Sequence, residues 1–148
     1  MNKLSLKLLI ILAIIAFTGI YCKNKTDCYE DLPNIYTDTL INIYSQQFNN
    51  LEIIGGWGYI TSGYKGIFIY HATQNEFVAW ERCCTCNPNN SKAKVYYDGG
   101  FLLHDSLCGS EFLVTNGYPT QSSSAPCPLL EFGVSYDLST GYLHIYNK

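Results

Sequence analysis

Charge is scarce in this chain. Lysine, arginine, aspartate and glutamate make up 14% of its 148 residues, against about 25% in ordinary domains. The basic side is the thinner one, nine residues against twelve acidic, which excludes a nucleic-acid groove, since phosphate binding needs clustered cations. Histidine is also rare, with three in all. No H-E-x-x-H, G-x-S-x-G or glycine-rich phosphate loop occurs, so hydrolase and nucleotide-binding readings fall away. Gly55-Gly56-Trp57-Gly58 is expected to be a turn or bulge between strands. There is no internal repeat and no low-complexity run beyond residues 122–124. Aromatics are plentiful instead, at 15% with thirteen tyrosines, so the expected surface is polar through Tyr, Asn, Ser and Thr.

A long hydrophobic run is also missing. Lys3 and Lys7 precede an apolar stretch over residues 8–20, short for a membrane span but suited to a signal-peptide core. Residues 1–21 are therefore expected to be a leader, with an uncleaved anchor helix as the alternative because no A-x-A cleavage site is visible. Either puts the remainder outside the cytoplasm, in the periplasm or anchored to the cell envelope. Cys22 stands where a bacterial lipoprotein carries its lipidated cysteine, although Tyr21 is bulky for the preceding position. Setting Cys22 apart leaves six of the seven cysteines, an even number suited to an oxidising compartment. Residues 22–37 read as a polar tether without fixed structure, and 38–148 as one domain.

Within that domain, short segments rich in β-branched and aromatic residues recur between Gly and Asn clusters: 39–43, 57–60, 66–70, 76–80, 93–97, 101–103, 111–114, 132–136 and 142–146. Asp98-Gly99-Gly100 signals a hairpin. Only residues 40–49 could pass for a helix as well as a strand. The expected fold is an all-β antiparallel sandwich or partly closed barrel.

Four cysteines fall in two short loops that each follow a strand, Cys83-Cys84-Thr85-Cys86 and Cys108-Gly109-Ser110. A fifth lies in Ala125-Pro126-Cys127-Pro128-Leu129. If the hairpin tips meet, these cysteines form a cluster able to hold a metal or to cross-link.

In this order the loops resemble those of Rieske domains, which carry C-x-H in one loop, C-x-x-H-G-S in a second, and a proline-containing loop over the cluster. The first motif aligns with Cys84-Thr85-Cys86, and the second with Asp105-Ser106-Leu107-Cys108-Gly109-Ser110. The covering loop aligns with Ser124-Ala125-Pro126-Cys127-Pro128-Leu129. The likeness extends over residues 39–147 and is greatest to exported Rieske-like lipoproteins of the Bacteroidetes envelope. It implies a two-iron two-sulfur cluster ligated by Cys84, Cys86, Asp105 and Cys108. Only Cys84 keeps the family's ligand type at its position. Cys86 and Cys108 replace the two histidines, and Asp105 replaces the second cysteine. Without the histidine pair, the high reduction potential would be lost.

Two functions follow as expectations. One is electron transfer by a cluster on these non-standard ligands, with a redox or envelope protein as partner. The other is a cluster-less binding or structural module whose loops are stapled by disulfides, Cys84 or Cys86 pairing with Cys108. A leader without a twin-arginine pair favours export of an unfolded, unloaded chain, which supports the second. A zinc site is the third possibility, with Cys127 able to replace the carboxylate. An enzyme is the least supported class, because no catalytic half is visible. His104 reads as a strand-end side chain rather than a ligand or base, and His71 and His144 as packing or surface groups. Cys28 could pair with Cys83 or with another chain, but six cysteines permit fifteen pairings and the sequence gives no connectivity. Asn24-Lys25-Thr26 and Asn89-Asn90-Ser91 match a glycosylation pattern that arises easily by chance.

Overall fold

The computed structural model describes residues 28–148; the expected leader and Cys22 lie outside them. The described chain forms nine strands: β1 (Asp38–Asn42), β2 (Trp57–Ile60), β3 (Ile67–Thr73), β4 (Glu76–Glu81), β5 (Val95–Tyr97), β6 (Leu102–Asp105), β7 (Glu111–Leu113), β8 (Glu131–Asp137) and β9 (Tyr142–Asn147). One 3₁₀ turn, Asn49–Glu52, is the only helical element among the described residues. The fold is all-β, as expected. Segment 40–49 resolves as strand followed by turn because Asn42 diverts the chain. Its Oδ1 accepts the Tyr44 N–H at 2.8 Å while its carbonyl accepts the Ser45 hydroxyl at 2.7 Å, a local bonding pattern that competes with further strand or helix.

Six strands form one antiparallel sheet in the order β1-β9-β8-β4-β3-β2, and the other three form a second, β5-β6-β7. The large sheet curls into a half-barrel. Thr39 on its first edge lies 2.7 Å, oxygen to oxygen, from Ser62, just beyond its last strand. β3 shows why the central strands read as continuous apolar runs. Ile67 and Ile69 enter a core on the concave side with Ile43, Leu51, Leu143 and Ile145. Phe68, between them, faces a second core with Trp80, Val95, Leu103 and Phe112, beneath the small sheet. With both faces covered, alternation disappears. On β9 it persists: Leu143 and Ile145 are fully buried while Tyr142 and Tyr146 are exposed. Gly56 closes the approach to β2, for a Cβ there would stand 1.8 Å from the Asn50 carbonyl oxygen, and only glycine fits.

Residues 28–37, expected to be a loose tether, are pinned. Cys28 is disulfide-bonded to Cys127. The Tyr29 hydroxyl donates to the Pro128 and Leu129 carbonyls, and the buried Thr37 donates its N–H to Asn147 Oδ1 at 2.6 Å. The polar composition that suggested disorder is instead used in hydrogen bonds to the domain's last strand and covering loop.

Candidate metal centre

The first loop leaves β4 at Glu81 and returns through an isolated antiparallel bridge between Cys83 and Lys94, with the Cys84 N–H on the Ala93 carbonyl at 3.2 Å. Two charged groups hold its shape. The buried Glu81 carboxylate accepts the N–H groups of Tyr64, Lys65 and Cys83 at 2.7, 2.8 and 3.1 Å, and such bonds offset the cost of taking a carboxylate out of water. The Lys65 ammonium donates to the carbonyls of Pro88, Asn90 and Ala93 at 2.9, 2.7 and 2.9 Å. Those three carbonyls belong to the loop itself, so one cation satisfies its irregular backbone. Neither Glu81 nor Lys65 was singled out in the sequence, because their roles depend on contacts that no local motif encodes.

The second loop is a tight turn after β6. Its ends are tied by the Asp105 N–H to the Ser110 carbonyl at 2.9 Å and by the Gly109 N–H to the Asp105 carbonyl at 2.8 Å. Gly109 has φ 68°, a left-handed conformation that glycine adopts without steric cost. The Asp105 side chain is also used locally: Oδ1 accepts the Leu107 N–H at 2.7 Å. Its Oδ2 lies 3.6 Å from Cys108 Sγ.

The covering loop is tied to the first tip and to the turn after β7. The Thr85 hydroxyl donates to the Cys127 carbonyl at 2.6 Å, and the Leu129 N–H to the Gly117 carbonyl at 2.9 Å.

At the centre, the two tips meet. Cys84 Sγ and Cys108 Sγ are 3.7 Å apart, Cys108 Sγ is 3.6 Å from Asp105 Oδ2, and one ligand atom from each of the three residues falls within 4.8 Å of the others. Cys84 and Asp105 are buried, while Cys108 is half-buried at the solvent side. Ser110 Oγ, fully buried, lies 3.0 Å from Cys108 Sγ. Burial pushes the Cys84 thiol far above its ordinary range; the hydrogen bond with Asp105 and the neighbouring Cys108 add to the rise, and a backbone bond at Cys86 opposes it.

Of the expected site residues, the structure therefore brings together Cys84, Asp105 and Cys108. Cys86 is engaged in a disulfide. Cys127, considered as a substitute for the carboxylate, has its sulfur bonded to Cys28, so it offers no thiolate. The pairing considered for Cys28, with Cys83 or another chain, is thereby corrected: Cys83 is a free, buried thiol, and Cys28 reaches the covering loop across 99 residues. The expected bridge from Cys108 to Cys84 or Cys86 is not formed. Cys108 is a free thiol, and its 3.7 Å from Cys84 exceeds the roughly 2.05 Å of an S–S bond.

The histidines stand apart from this group. His104 pairs with Asp98 and Glu111 on the small sheet at 3.0 and 3.4 Å. His71 is buried, stacked on Phe77 with ring centroids 4.1 Å apart, and His144 meets Asp38 at the surface. Ser110, which the sequence supplied as part of a motif without a role, faces the Cys108 sulfur.

Comparison with known proteins gives likenesses of fold. The chain is similar to the ferredoxin of carbazole 1,9a-dioxygenase from Nocardioides aromaticivorans IC177, with a TM-score of 0.47 and 15% identity over 74% of this chain and 99% of that one. It is also similar to a chain in the complex of reduced oxygenase and oxidized ferredoxin in carbazole 1,9a-dioxygenase, with a TM-score of 0.47 and 22% identity over 78% of this chain and 96% of that one. No family model matches the chain, and no curated protein does.

A two-iron cluster of the Rieske type takes two protein donors on each iron. Three donors converge here, and the sulfur of Cys86 is covalently committed. In this covalent state the residues do not fit that cluster.

Proposed function

We propose that this chain is an exported Rieske-type domain whose working part is a metal centre held between its two hairpin tips. The observation that carries this reading is the convergence of Cys84 from one loop with Asp105 and Cys108 from another at ligating distance. Two thiols and a carboxylate form a donor set that transition metals take readily. With iron in place, such thiolate ligation supports one-electron chemistry, and the partner would be a redox protein of the cell envelope. Export follows from the leader over residues 1–21. Metal analysis of protein recovered from its native compartment tests the reading: bound transition metal in stoichiometric amount supports it, and metal-free protein that stays metal-free after anaerobic reconstitution overturns it.

A second reading has its own observation. The covering loop is stapled to residue 28 by Cys28–Cys127, and Cys86 is also disulfide-bonded. Disulfides thus hold the covering loop and one end of the first hairpin loop, support that a cluster-less binding or structural module would use. Under this reading, protein isolated without metal keeps the stability and ligand-loop protection of the metal-loaded form.

A further inference from the structure

Resting on the proposal that the hairpin tips carry a metal centre, we infer that the centre is mononuclear: one tetrahedral first-row divalent ion on Cys84, Asp105 and Cys108, with a fourth, exchangeable ligand on the solvent side. Three observations lead there.

The first is distance. A tetrahedral ion with metal–sulfur bonds of about 2.3 Å and a metal–oxygen bond of about 2.0–2.2 Å sets its donors about 3.8 Å apart for two sulfurs and about 3.5–3.7 Å for sulfur and oxygen. The structure has 3.7 Å between the sulfurs and 3.6 Å from Cys108 Sγ to Asp105 Oδ2. The second is spread. Donors on opposite irons of a sulfide-bridged pair point away from each other, whereas all three donors here lie within 4.8 Å, as donors to a single ion do. The third is support. Leu107 N–H holds Asp105 Oδ1, leaving Oδ2 beside Cys108 Sγ, and Ser110 Oγ lies beside the same sulfur. Outer partners of this kind orient ligands in built metal sites. Cys84 and Asp105 close the buried side, and half-buried Cys108 leaves the outer side open. Three protein ligands plus an open position is the arrangement of sites that exchange a ligand rather than of closed structural ones.

The test is titration of the natively exported full chain with Co²⁺ under anaerobic conditions, followed by optical spectroscopy, alongside iron and sulfide analysis of the protein as isolated. One Co²⁺ per chain, with intense ligand-field bands of tetrahedral geometry and thiolate-to-metal charge transfer, is expected. Cys84→Ser and Cys108→Ser should each lose the charge-transfer intensity in proportion to the sulfur removed. Ser110→Ala should weaken binding by about 10–100-fold, and Cys83→Ser should retain the wild-type spectrum. Circular dichroism of each variant separates lost binding from lost folding, and the wild-type spectrum alone already tests the geometry. Two irons and two sulfides per chain would overturn the mononuclear inference while leaving the metal-centre proposal standing. Absence of any metal, with no Co²⁺ spectrum, would overturn both.

Discussion

Glu81 shows at the scale of one residue how this protein places its chemistry. It is 1% exposed and has three backbone N–H donors arranged around it. Truncation would leave the buried Cys83 N–H without its acceptor, where an unmet hydrogen bond costs about 1–3 kcal/mol, while the part-buried Tyr64 and Lys65 N–H groups can turn to water. Glu81→Ala is therefore expected to destabilise the fold by about 1–3 kcal/mol, read by chemical denaturation, and to loosen Cys83 and Cys84 first. A second carboxylate acts at the surface. Asp137, at the turn between β8 and β9, accepts the Thr140 hydroxyl and the Ser139 hydroxyl and N–H, which lower its pKa from 3.8 to about 2. A carboxyl whose folded value is depressed contributes stability above its unfolded value, and this is lost as pH falls through the folded one. The gap in melting temperature between wild type and Asp137→Ala should accordingly be constant above about pH 4 and close towards pH 2. A gap that widens on acidification would contradict the assignment.

At the scale of elements, strands were legible because β-branched and aromatic runs separated by glycine and asparagine have a direct backbone meaning. All nine expected segments form strands, including the β5–β6 hairpin at Asp98-Gly99-Gly100, where Gly99 takes φ 95°. The 3₁₀ turn at Asn49–Glu52 was not foreseen, since its single buried anchor, Leu51, gives no periodic signal. Residues 28–37 were misjudged for a related reason: polar composition does not reveal a partner in another part of the chain. The staple from Cys28 to Cys127 closes a loop of about a hundred residues, for which chain entropy implies a contribution of about 2–5 kcal/mol. Replacing both cysteines by serine should lower the unfolding free energy by about that amount. Amide exchange should rise in the covering loop over residues 124–129 before it rises in the large sheet.

For the whole molecule, the decisive feature is that one sheet serves two cores. β3 and β4 send side chains to both, and Trp80 adds a direct tie, its indole N–H donating to the Val114 carbonyl on the small-sheet side at 2.8 Å. Trp80→Phe keeps most of the packing but leaves that carbonyl unmet, at an expected cost of about 1–3 kcal/mol. Because both hairpin tips depend on the same inter-sheet packing, this substitution should also raise the reactivity of Cys84 and Cys108 towards a thiol reagent. Unchanged reactivity would show that the tips are held by their own loops.

By itself, the sequence determined the strand content, the acidic and aromatic character, and which loops carry cysteine, since each is a local property of residue type and spacing. The tertiary structure decided which sulfurs bond, which remain thiols, and that Asp105 faces Cys108 rather than solvent. Those outcomes depend on atoms separated by up to 99 residues, and distance in space between such atoms is set by sheet packing and loop hydrogen bonds rather than by any pattern along the chain.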